Sequence, residues 1–310
     1  MNKIAIAIHG GAGPDSDYIK KNVEGYKKGL REALDAGYAV LDKGGHAVDA
    51  VEAAVRVLED NPHFNAGKGS ALNENGEVEM CASIMNGEDG NAGAVAVVRQ
   101  VKNPVTLARA VMEKTKHIYL GDTGALRFAR ELNLPMEDPS YFVTPHMKEA
   151  YEEAKKEQHG DAAGSAEEKT KKKHGTVGAV ALDGKGNLAA ATSTGGLEFC
   201  KQGRIADSSM IGVGTYANNN TCAVSTTGEG EFHIQHVTAF HIAALIEYKG
   251  LTLQEACRYL IHEKCRHVTA DMGLIGVDRE GNLAAEFNTE RMHRGLKSSD
   301  GTLEIEIYPG

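Results

Sequence analysis

Short apolar segments alternate along this chain with longer segments in which apolar side chains recur at helical spacing. Residues 4–8 (IAIAI) are uninterruptedly apolar and are followed by a pair of glycines, which predicts a strand buried on both faces. Residues 46–60 carry apolar side chains on one helical face and charged ones on the other, and Asn61 and Pro62 end this predicted helix. The same criteria predict a second buried strand at 93–98, and helices at 17–41, 103–115, 122–132, 146–157, 233–248 and 252–266.

Two segments of the chain share one pattern. Residues 178–190 (GAVALDGKGNLAA) and 273–285 (GLIGVDREGNLAA) carry a turn aspartate, a Gly-Asn pair and a Leu-Ala-Ala ending at equal offsets. Each segment predicts a β-hairpin, because Asp, Gly and Asn favour tight turns between apolar strands. Since helices are predicted around these hairpins, the pattern favours packed sheets with helices outside them.

The first hairpin makes a geometric prediction. If its strands pair symmetrically about Lys185, Leu182 faces Leu188 and Thr176 faces Thr194. The Cβ atoms of directly paired residues in an antiparallel sheet lie roughly 5 Å apart. The two threonine hydroxyls are therefore predicted to be neighbours.

Composition changes sharply just before that hairpin. Residues 156–174 contain no large apolar side chain and are rich in charged and small residues, which predicts a solvated, mobile linker over 156–175. A boundary between two domains is one interpretation of such a segment. However, the predicted strand at 176–182 follows at once, so that an exposed peptide bond adjoins a buried strand. That placement suits a proteolytic processing site.

Bulk composition limits the class of protein. The 310 residues, 41% hydrophobic and 25% charged, are typical of one layered α/β unit with a large core. The net charge of −9 argues against nucleic acid or an anionic membrane as a partner. Five cysteines without a CxxC pair favour free thiols in a reducing compartment. The apolar run at the start is too short for a signal peptide or a membrane span, so we expect a cytoplasmic protein.

Hydroxyl-bearing side chains are concentrated at the ends of two predicted strands, at 192–196 (TSTGG) and 225–230 (STTGEG). Either cluster alone is explained by the preference of threonine for strands and of glycine for turns. Together with a threonine that follows a glycine at the end of the charged linker, they favour a site with a hydroxyl nucleophile. Two other patterns are weaker: the glycines at 10–13 lack the spacing of a dinucleotide loop, and His262 and His267 lack that of a zinc helix.

Six segments of the chain follow the order and spacing of one family. They are HGGAG (9–13), FNAGKGS (64–70), HGTVGAVA (174–181), ATSTGG (191–196), GRIAD (203–207) and STTGEG (225–230). On these segments the chain resembles the plant-type L-asparaginases and isoaspartyl peptidases, which are N-terminal-nucleophile hydrolases. The resemblance covers nearly the whole chain, and it implies one domain over 1–310 with the four-layer αββα sandwich of those hydrolases.

The resemblance also implies how the nucleophile is made. The chain would cut its own Gly175–Thr176 bond, giving an α subunit (1–175) and a β subunit (176–310). Thr176 would then be the nucleophile, with its freed α-amino group, of reference pKa about 7.7–8.0, as general base. Thr194 would hydrogen-bond and tune the nucleophile.

Substrate contacts follow from the same resemblance. Thr227, through its hydroxyl, and Gly228, through its N–H, would form the oxyanion hole. Arg204 would hold the α-carboxylate of the substrate, while Asp207 and the carbonyl of Gly230 would hold its α-ammonium group. Without the family segments, a surface ion pair three residues apart explains Arg204 and Asp207 as well.

Residues 58–68 resemble a loop that wraps a sodium ion in the family. Asn65, inside this loop, would help to hold the region of the nucleophile. The sodium ligands would be backbone carbonyl oxygens, from Leu58, Glu59, Asn61, Phe64, Ala66 and Lys68. The ion would be structural, since the hydrolysis itself would need no cofactor.

The resemblance implies L-asparagine and β-aspartyl dipeptides as substrates, and a homodimer of cleaved precursors, (αβ)2. One alternative is an amidase that acts on glycosylated asparagine, and another is a binding protein that keeps the fold without cleaving itself. The chain departs from the family pattern at Cys81, Asn86, Ala206 and Ser209, where the family usually has Asp, Asp, Gly and Pro. The methyl group of Ala206 lies beside the proposed substrate contacts, so it bears on substrate preference.

Overall fold

The structure is a computed structural model that describes residues 3–158, 175–266 and 269–310. In these ranges the strands are β1 (Ala5–Gly13), β2 (Met80–Asn86), β3 (Ala92–Val98), β4 (Tyr119–Gly121), β5 (Val177–Leu182), β6 (Leu188–Thr194), β7 (Thr215–Ala217), β8 (Cys222–Gly228), β9 (Met272–Asp278), β10 (Leu283–Phe287), β11 (Arg291–Ser298) and β12 (Leu303–Glu306). The helices are α1 (Asp17–Lys21), α2 (Val23–Asp42), α3 (Ala47–Asp60), α4 (Pro104–Lys114), α5 (Asp122–Glu131), α6 (Pro139–Phe142), α7 (Pro145–Gln158), α8 (Gly230–His236), α9 (Thr238–Lys249) and α10 (Leu253–Arg258). A 3₁₀ turn covers Asp207–Ser209, and a π-helical turn covers Tyr259–Lys264.

The described strands form two sheets. The larger sheet has the order β12-β11-β1-β5-β6-β2-β3-β4, and the smaller has the order β10-β9-β8-β7. Neighbouring strands run antiparallel except for β3 and β4, which are parallel. The two hairpins predicted from the shared pattern are thus divided between the sheets, β5–β6 in the larger and β9–β10 in the smaller.

Strand β1 explains why the layers stack as they do. Ile6 and Ile8 point into the core that helices α2 and α3 form with the larger sheet, whereas Ala5 and Ala7 point into the core between the sheets. Successive side chains of a strand alternate between its faces, so one apolar run serves both cores. Helices α9 and α10 cover the outer face of the smaller sheet. The predicted αββα sandwich is confirmed.

Strand β1 is longer than the sequence predicts. Instead of ending at residue 8 it continues to Gly13, with a bulge between His9 and Ala12 where its pairing with β11 shifts. Gly11 adopts φ +109°, a conformation that glycine tolerates and other residues rarely take. The pair of glycines therefore bends the strand and does not end it.

Two predicted helices are interrupted. The helix predicted at 17–41 is divided at Asn22, which ends α1 and precedes α2. The helix predicted at 233–248 is divided at Val237, which takes the left-handed conformation with φ +49°. A β-branched residue rarely adopts that backbone, so residue preferences do not predict the break.

The register of the first hairpin agrees with the prediction. Leu182 pairs with Leu188 and Val177 with Ser193, which leads Thr176 to the level of Thr194. Helix α7 extends to Gln158, so the first three residues predicted as linker are helical. Residues 159–174, which hold the rest of the predicted linker, lie outside the described part of the chain, as does His267.

All five cysteines are free thiols, as the sequence analysis predicts. Among the helices that the structure describes, none combines the length and hydrophobicity needed to cross a lipid bilayer.

Candidate active site

Ends of several strands meet at one edge of the sandwich. Thr176 precedes β5, and because β5 and β6 are antiparallel it lies beside Thr194, the last residue of β6. Strand β8 ends nearby at Gly228. Together they surround a cavity of about 10 Å³, which is room for about one water molecule. Its lining residues are Gly175, Thr176, Thr194, Gly196, Leu197, Arg204, Ala206, Asp207, Gly228 and Gly230.

A relay of hydroxyl groups surrounds the bond between Gly175 and Thr176. The Thr176 hydroxyl, in a residue only 5% exposed, donates to Thr194 Oγ1 at 3.3 Å. Thr194 Oγ1 donates in turn to the carbonyl oxygen of Gly175 at 2.9 Å and accepts from the N–H of Gly196 at 3.2 Å. The Thr194 hydroxyl therefore contacts both the hydroxyl of Thr176, the candidate nucleophile, and the Gly175 carbonyl that Thr176 would attack.

Asn65 supplies a second donor to the same carbonyl. Its Nδ2 donates to Gly175 O at 2.8 Å and to Gly196 O at 2.7 Å. Its Oδ1 accepts from the N–H of Ala71 at 2.7 Å, and its own carbonyl accepts from Gly195 at 3.0 Å. The amide is thus fixed at both ends, and Gly175 O has two donors aimed at it, as an oxyanion site requires.

The bulge of β1 lies against this bond as well. A Cβ atom on Gly11 would be 3.1 Å from the Cα of Gly175 and 3.4 Å from the backbone nitrogen of Thr176. Together with the left-handed φ, this close approach requires glycine at position 11. The bulge therefore allows the backbone of β1 to pack directly on the peptide bond.

Arg204, Asp207 and Gly230 meet on the opposite wall. Asp207 is 3% exposed and accepts from Thr226 Oγ1 at 3.0 Å. A Cβ atom on Gly230 would lie 2.6 Å from Asp207 Oδ1 and 3.0 Å from Arg204 Nη2, so one positive and one negative group converge there. A zwitterionic amino acid presents the complementary pair of charges.

Arg204 forms an ion pair with Glu231, a residue that no sequence pattern indicates. Arg204 Nε and Nη2 donate to the two carboxylate oxygens of Glu231 at 2.7 and 2.8 Å. Burial lowers the pKa of Arg204, but the hydrogen bonds to Glu231 outweigh it and raise the pKa above its usual value. The Nη1 end of the guanidinium takes no part in this pair. No motif connects the two residues, since they are 27 positions apart.

Thr227 and Gly228 close the end of β8. Thr227 is fully buried, and its Oγ1 accepts from the N–H of Ala12 at 3.2 Å. Gly228 adopts φ +120°, and a Cβ atom there would lie 2.2 Å from the carbonyl oxygen of Asp271. Gly228 lines the small cavity, whereas Thr227 lies behind it and does not.

Comparison with known proteins agrees with this geometry. A family profile described as Asparaginase matches residues 2–307. The chain is 43% identical to the isoaspartyl peptidase of Salmonella typhimurium, over 99% of both chains. It is 44% identical to the isoaspartyl peptidase/L-asparaginase of Homo sapiens, over 100% of this chain and 97% of the relative. A probable isoaspartyl peptidase/L-asparaginase of Arabidopsis thaliana is 42% identical, over 99% of this chain and 100% of the relative.

The chain belongs to the asparaginase family. In this asparaginase-family chain the structure brings seven of the predicted site residues around one cavity: Gly175, Thr176, Thr194, Arg204, Asp207, Gly228 and Gly230. Asn65 contacts that group through Gly175, and Thr227 is one residue away from the lining.

Three of the four positions that depart from the family pattern lie close to the site; the fourth, Asn86, is at the other end of β2 and pairs with Ala189. Ala206 lines the cavity, and Ser209 Oγ contacts the hydroxyl of Tyr119 and the carbonyl of Ala206. Cys81 pairs with Thr194 across β2 and β6, and its burial raises the pKa of the thiol, which stays protonated at neutral pH. The departures at Cys81, Ala206 and Ser209 alter the surroundings of the site, and none replaces a group that contacts the scissile bond.

The loop predicted to hold sodium has carbonyl groups that converge. The N–H of Lys68 donates to the carbonyl of Glu59 at 2.7 Å, which closes the loop. The carbonyl oxygens of Pro62 and Phe64 lie 2.8 and 2.7 Å from the position that a Cβ atom on Gly69 would take. Such oxygen atoms are suitable ligands for a hard cation. Within the described residues, no group of three or more His, Cys, Asp or Glu side chains could hold a metal ion.

The side chain of Glu59, the last but one residue of α3, is fully buried beside this loop. Its Oε1 accepts from Ser193 Oγ at 2.7 Å and from the N–H of Val105 at 3.0 Å. Oε2 is buried and makes no hydrogen bond to the described residues, although the amide of Asn103 lies close. Burial raises the pKa of Glu59 to about 8. A carboxyl buried in this way keeps its proton at neutral pH.

Proposed function

We propose that this chain cuts its own Gly175–Thr176 bond and then uses Thr176 to hydrolyse L-asparagine and β-aspartyl dipeptides. The single observation that carries the proposal is the relay from the Thr176 hydroxyl through Thr194 to the carbonyl of Gly175. Membership of the asparaginase family and the relatives named isoaspartyl peptidase/L-asparaginase give the class of substrate.

Self-cleavage begins when Thr176 Oγ1 attacks the carbonyl carbon of Gly175. The nucleophile's proton passes towards Thr194, which accepts from it, while Thr194 and Asn65 stabilise the charge that develops on Gly175 O. The C–N bond then breaks as the proton taken from the Thr176 hydroxyl is delivered to the departing nitrogen, which becomes the α-amine of Thr176. Water hydrolyses the resulting ester, which leaves a carboxylate on Gly175 and restores the Thr176 hydroxyl.

After cleavage the new amine acts as the general base for the hydroxyl of its own residue. Arg204 binds the substrate's α-carboxylate through the end of its guanidinium that Glu231 leaves unused. Asp207 and the carbonyl of Gly230 bind the α-ammonium group. Thr176 attacks the side-chain amide carbon of the substrate. The leaving group is ammonia from L-asparagine, or the second amino acid from a β-aspartyl dipeptide. Water then releases aspartate from the acyl-enzyme.

The oxyanion of this second reaction needs donors of its own. Thr227 Oγ1 accepts from Ala12, so its hydroxyl proton remains for donation, and Gly228 contributes its N–H. Gly228 already faces the cavity, and its backbone has no side chain to obstruct the approach of a substrate.

The uncut chain is inactive towards substrate on this proposal. Its cavity of about 10 Å³ holds roughly one water, and Gly175 forms part of the wall. An asparagine molecule is several times larger, so it cannot enter until the segment ending in Gly175 moves away. The amine that serves as general base is also absent before cleavage.

A structural sodium ion, a homodimer of cleaved precursors and a cytoplasmic location complete the proposal. The sodium ion would be held by carbonyl oxygens of the loop at 58–68 and would support Asn65, without taking part in any chemical step. An increase in melting temperature in sodium chloride, relative to choline chloride at equal ionic strength, is the expected result. Native mass spectrometry should give about twice the 33.1 kDa of one chain.

The deciding experiment combines intact mass with activity. Purified protein should consist of chains of 175 and 135 residues out of the 310, and should release aspartate from L-asparagine and from β-aspartyl-leucine. Thr176→Ala should remain one inactive chain, whereas Thr176→Ser, which keeps a hydroxyl, should still cleave itself. Appreciable turnover by Thr176→Ala, or a wild-type chain that stays whole and inactive, would overturn the proposal and favour a binding protein.

A further inference from the structure

His9 is a fully buried histidine beside the candidate nucleophile. It lies in β1 just before the bulge and is 0% exposed. Its Nδ1 is 3.0 Å from the carbonyl oxygen of Thr176, and its Nε2 is 2.9 Å from Ser225 Oγ. Neither partner carries a charge. The ring therefore joins the backbone of the nucleophile to a hydroxyl on the other sheet.

Ser225 is the first of four hydroxyls that continue this contact between the sheets. Ser225 Oγ lies 2.7 Å from Thr192 Oγ1, and Thr215 Oγ1 donates to Thr192 at 2.6 Å. Ser83 Oγ lies 2.7 Å from Thr215 Oγ1 and 2.6 Å from the carbonyl of Ser208. The network thus runs from the carbonyl of Thr176 to the residue next to Asp207.

The partners of His9 determine where its protons lie. A carbonyl oxygen can only accept, so Nδ1 must carry the hydrogen that bonds to Thr176 O. In a neutral ring Nε2 then accepts, and Ser225 donates to it. Burial lowers the pKa of His9 to about 3, and the hydrogen bond to Thr176 opposes this effect only in part. The ring is accordingly neutral across the range in which enzymes of this kind work.

Glycine at position 178 makes the arrangement possible. Gly178 pairs with His9 between β5 and β1. A Cβ atom there would lie 2.0 Å from Ser225 Oγ and 2.4 Å from His9 Nε2, so any side chain would break the bond between them. Gly178, two residues after the nucleophile, therefore leaves the space that the hydrogen bond between this imidazole and Ser225 requires.

We propose that His9 is a positioning residue, a neutral imidazole in its Nδ1–H form that fixes the backbone of Thr176 for attack. Thr194 holds the side-chain oxygen of Thr176 and His9 holds its carbonyl, so the residue is fixed from two sides. His9 does not exchange a proton with substrate. Since a misplacement of about 1 Å can cost a hundredfold in rate, loss of this bond should lower kcat.

A second buried histidine contacts a backbone carbonyl at the oxyanion side of the site. His233 is also 0% exposed, and its Nε2 is 3.0 Å from the carbonyl of Thr227 while its Nδ1 is 3.1 Å from Thr238 Oγ1. Because the carbonyl again requires a donor, the hydrogen lies on Nε2 in this ring. His9 and His233 therefore hold the carbonyls of Thr176 and Thr227 through different ring nitrogens, Nδ1 and Nε2.

The tautomers can be measured directly, without reference to activity. Nitrogen–proton correlation spectra of the imidazoles at pH 7 should contain one Nδ1–H signal set that disappears in His9→Asn. That set should not shift between pH 5 and 8. An Nε2–H tautomer for His9, or titration near pH 6.5, would overturn the proposal.

Two substitutions separate the two bonds of the ring. The side-chain nitrogen of Asn can replace Nδ1 and keep the bond to Thr176, whereas that of Gln replaces Nε2 and keeps only Ser225. We expect His9→Gln to lower kcat at least tenfold relative to wild type, with KM within threefold of the wild-type value. The kcat of His9→Asn should be at least tenfold higher than that of His9→Gln. The exposed His262→Asn serves as control and should match wild type. Equal kcat for His9→Gln and wild type would refute the role.

This kinetic comparison rests on the proposed function. If wild type hydrolyses neither L-asparagine nor β-aspartyl-leucine, the proposed function fails, while the spectra still decide the state of His9. If wild type is active but kcat does not separate His9→Gln from His9→Asn, only the positioning role fails.

Discussion

The hydroxyl of Thr194 lies 3.3 Å from that of Thr176, from which it accepts a hydrogen bond, and its own proton is directed at the carbonyl of Gly175. The same residue therefore contacts the attacking atom and the atom on which charge develops. Before cleavage this arrangement serves the chain's own peptide bond, and afterwards only the contact with the nucleophile remains.

Removing the hydroxyl at position 194 should slow self-cleavage strongly. Thr194→Val keeps the shape of the side chain but loses all three hydrogen bonds of the hydroxyl. Loss of one oxyanion donor typically costs about 2.7–4 kcal/mol of barrier, or 10²–10³ in rate. Thr194→Ser keeps the hydroxyl and should retain most of the rate. The cut fraction on denaturing gels over time measures both, and equal rates for the two variants would show that the hydroxyl is dispensable.

Asn65→Asp should also block self-cleavage, for an electrostatic reason. The substitution places a carboxylate oxygen where Nδ2 now donates to Gly175 O and Gly196 O, so two donors are lost and a negative charge faces the developing oxyanion. We expect cleavage at least a hundredfold slower. Intact mass after a fixed incubation measures it. The same change at the exposed Asn220 is the control and should leave cleavage at the wild-type rate.

Gly230→Ala should separate substrate binding from self-cleavage. The added methyl group would lie 2.6 Å from Asp207 Oδ1, which forces that carboxylate out of place, whereas it does not contact the scissile bond. We expect KM for L-asparagine to rise at least tenfold while the chain still cuts itself. Gly124→Ala, where a Cβ atom meets nothing within 4 Å, is the control. A Gly230→Ala chain that stays uncut would contradict this division.

The buried neutral ring of His9 should make the fold sensitive to acid. Burial lowers its pKa from 6.5 to about 3, so between these values the unfolded chain binds a proton that the folded chain does not. Stability is therefore lost as pH falls below about 6.5, and the loss amounts to about 2 kcal/mol at pH 5.

The comparison of wild type with His9→Asn isolates this contribution, because other shifted groups are common to both proteins. Urea unfolding at pH 7 and pH 5 should show wild type losing about 2 kcal/mol more than the variant over that interval. Parallel losses in the two proteins would mean that His9 is charged, or exposed, in the folded state.

Local chemistry explains which parts of the site the sequence predicts. The neighbourhood of Thr176 and Thr194 follows from one hairpin, because the turn at 183–187 fixes the register and the alternation of strands does the rest. The layers follow from apolar runs that are buried on both faces. The two hydroxyls are thus placed by one contiguous segment, in which they are 18 positions apart.

Contacts between distant segments could not be obtained in that way. Asn65 meets Gly175 across 110 positions, and His9 meets Thr176 across 167. Glu231 occupies one side of Arg204, and no periodicity relates these two residues. Each such contact depends on where packing of the whole sandwich places β1, the loop after α3 and the 3₁₀ turn. The conformational preferences of single residues do not determine those relative positions.

The cavity with room for about one water has a consequence for when this protein works. Each newly synthesised molecule must first cleave itself once, and only then does it turn over substrate repeatedly. The amount of active enzyme at any moment then depends on the age of the molecules as well as on their number. Two preparations with equal protein concentration but different histories should differ in specific activity and converge on standing.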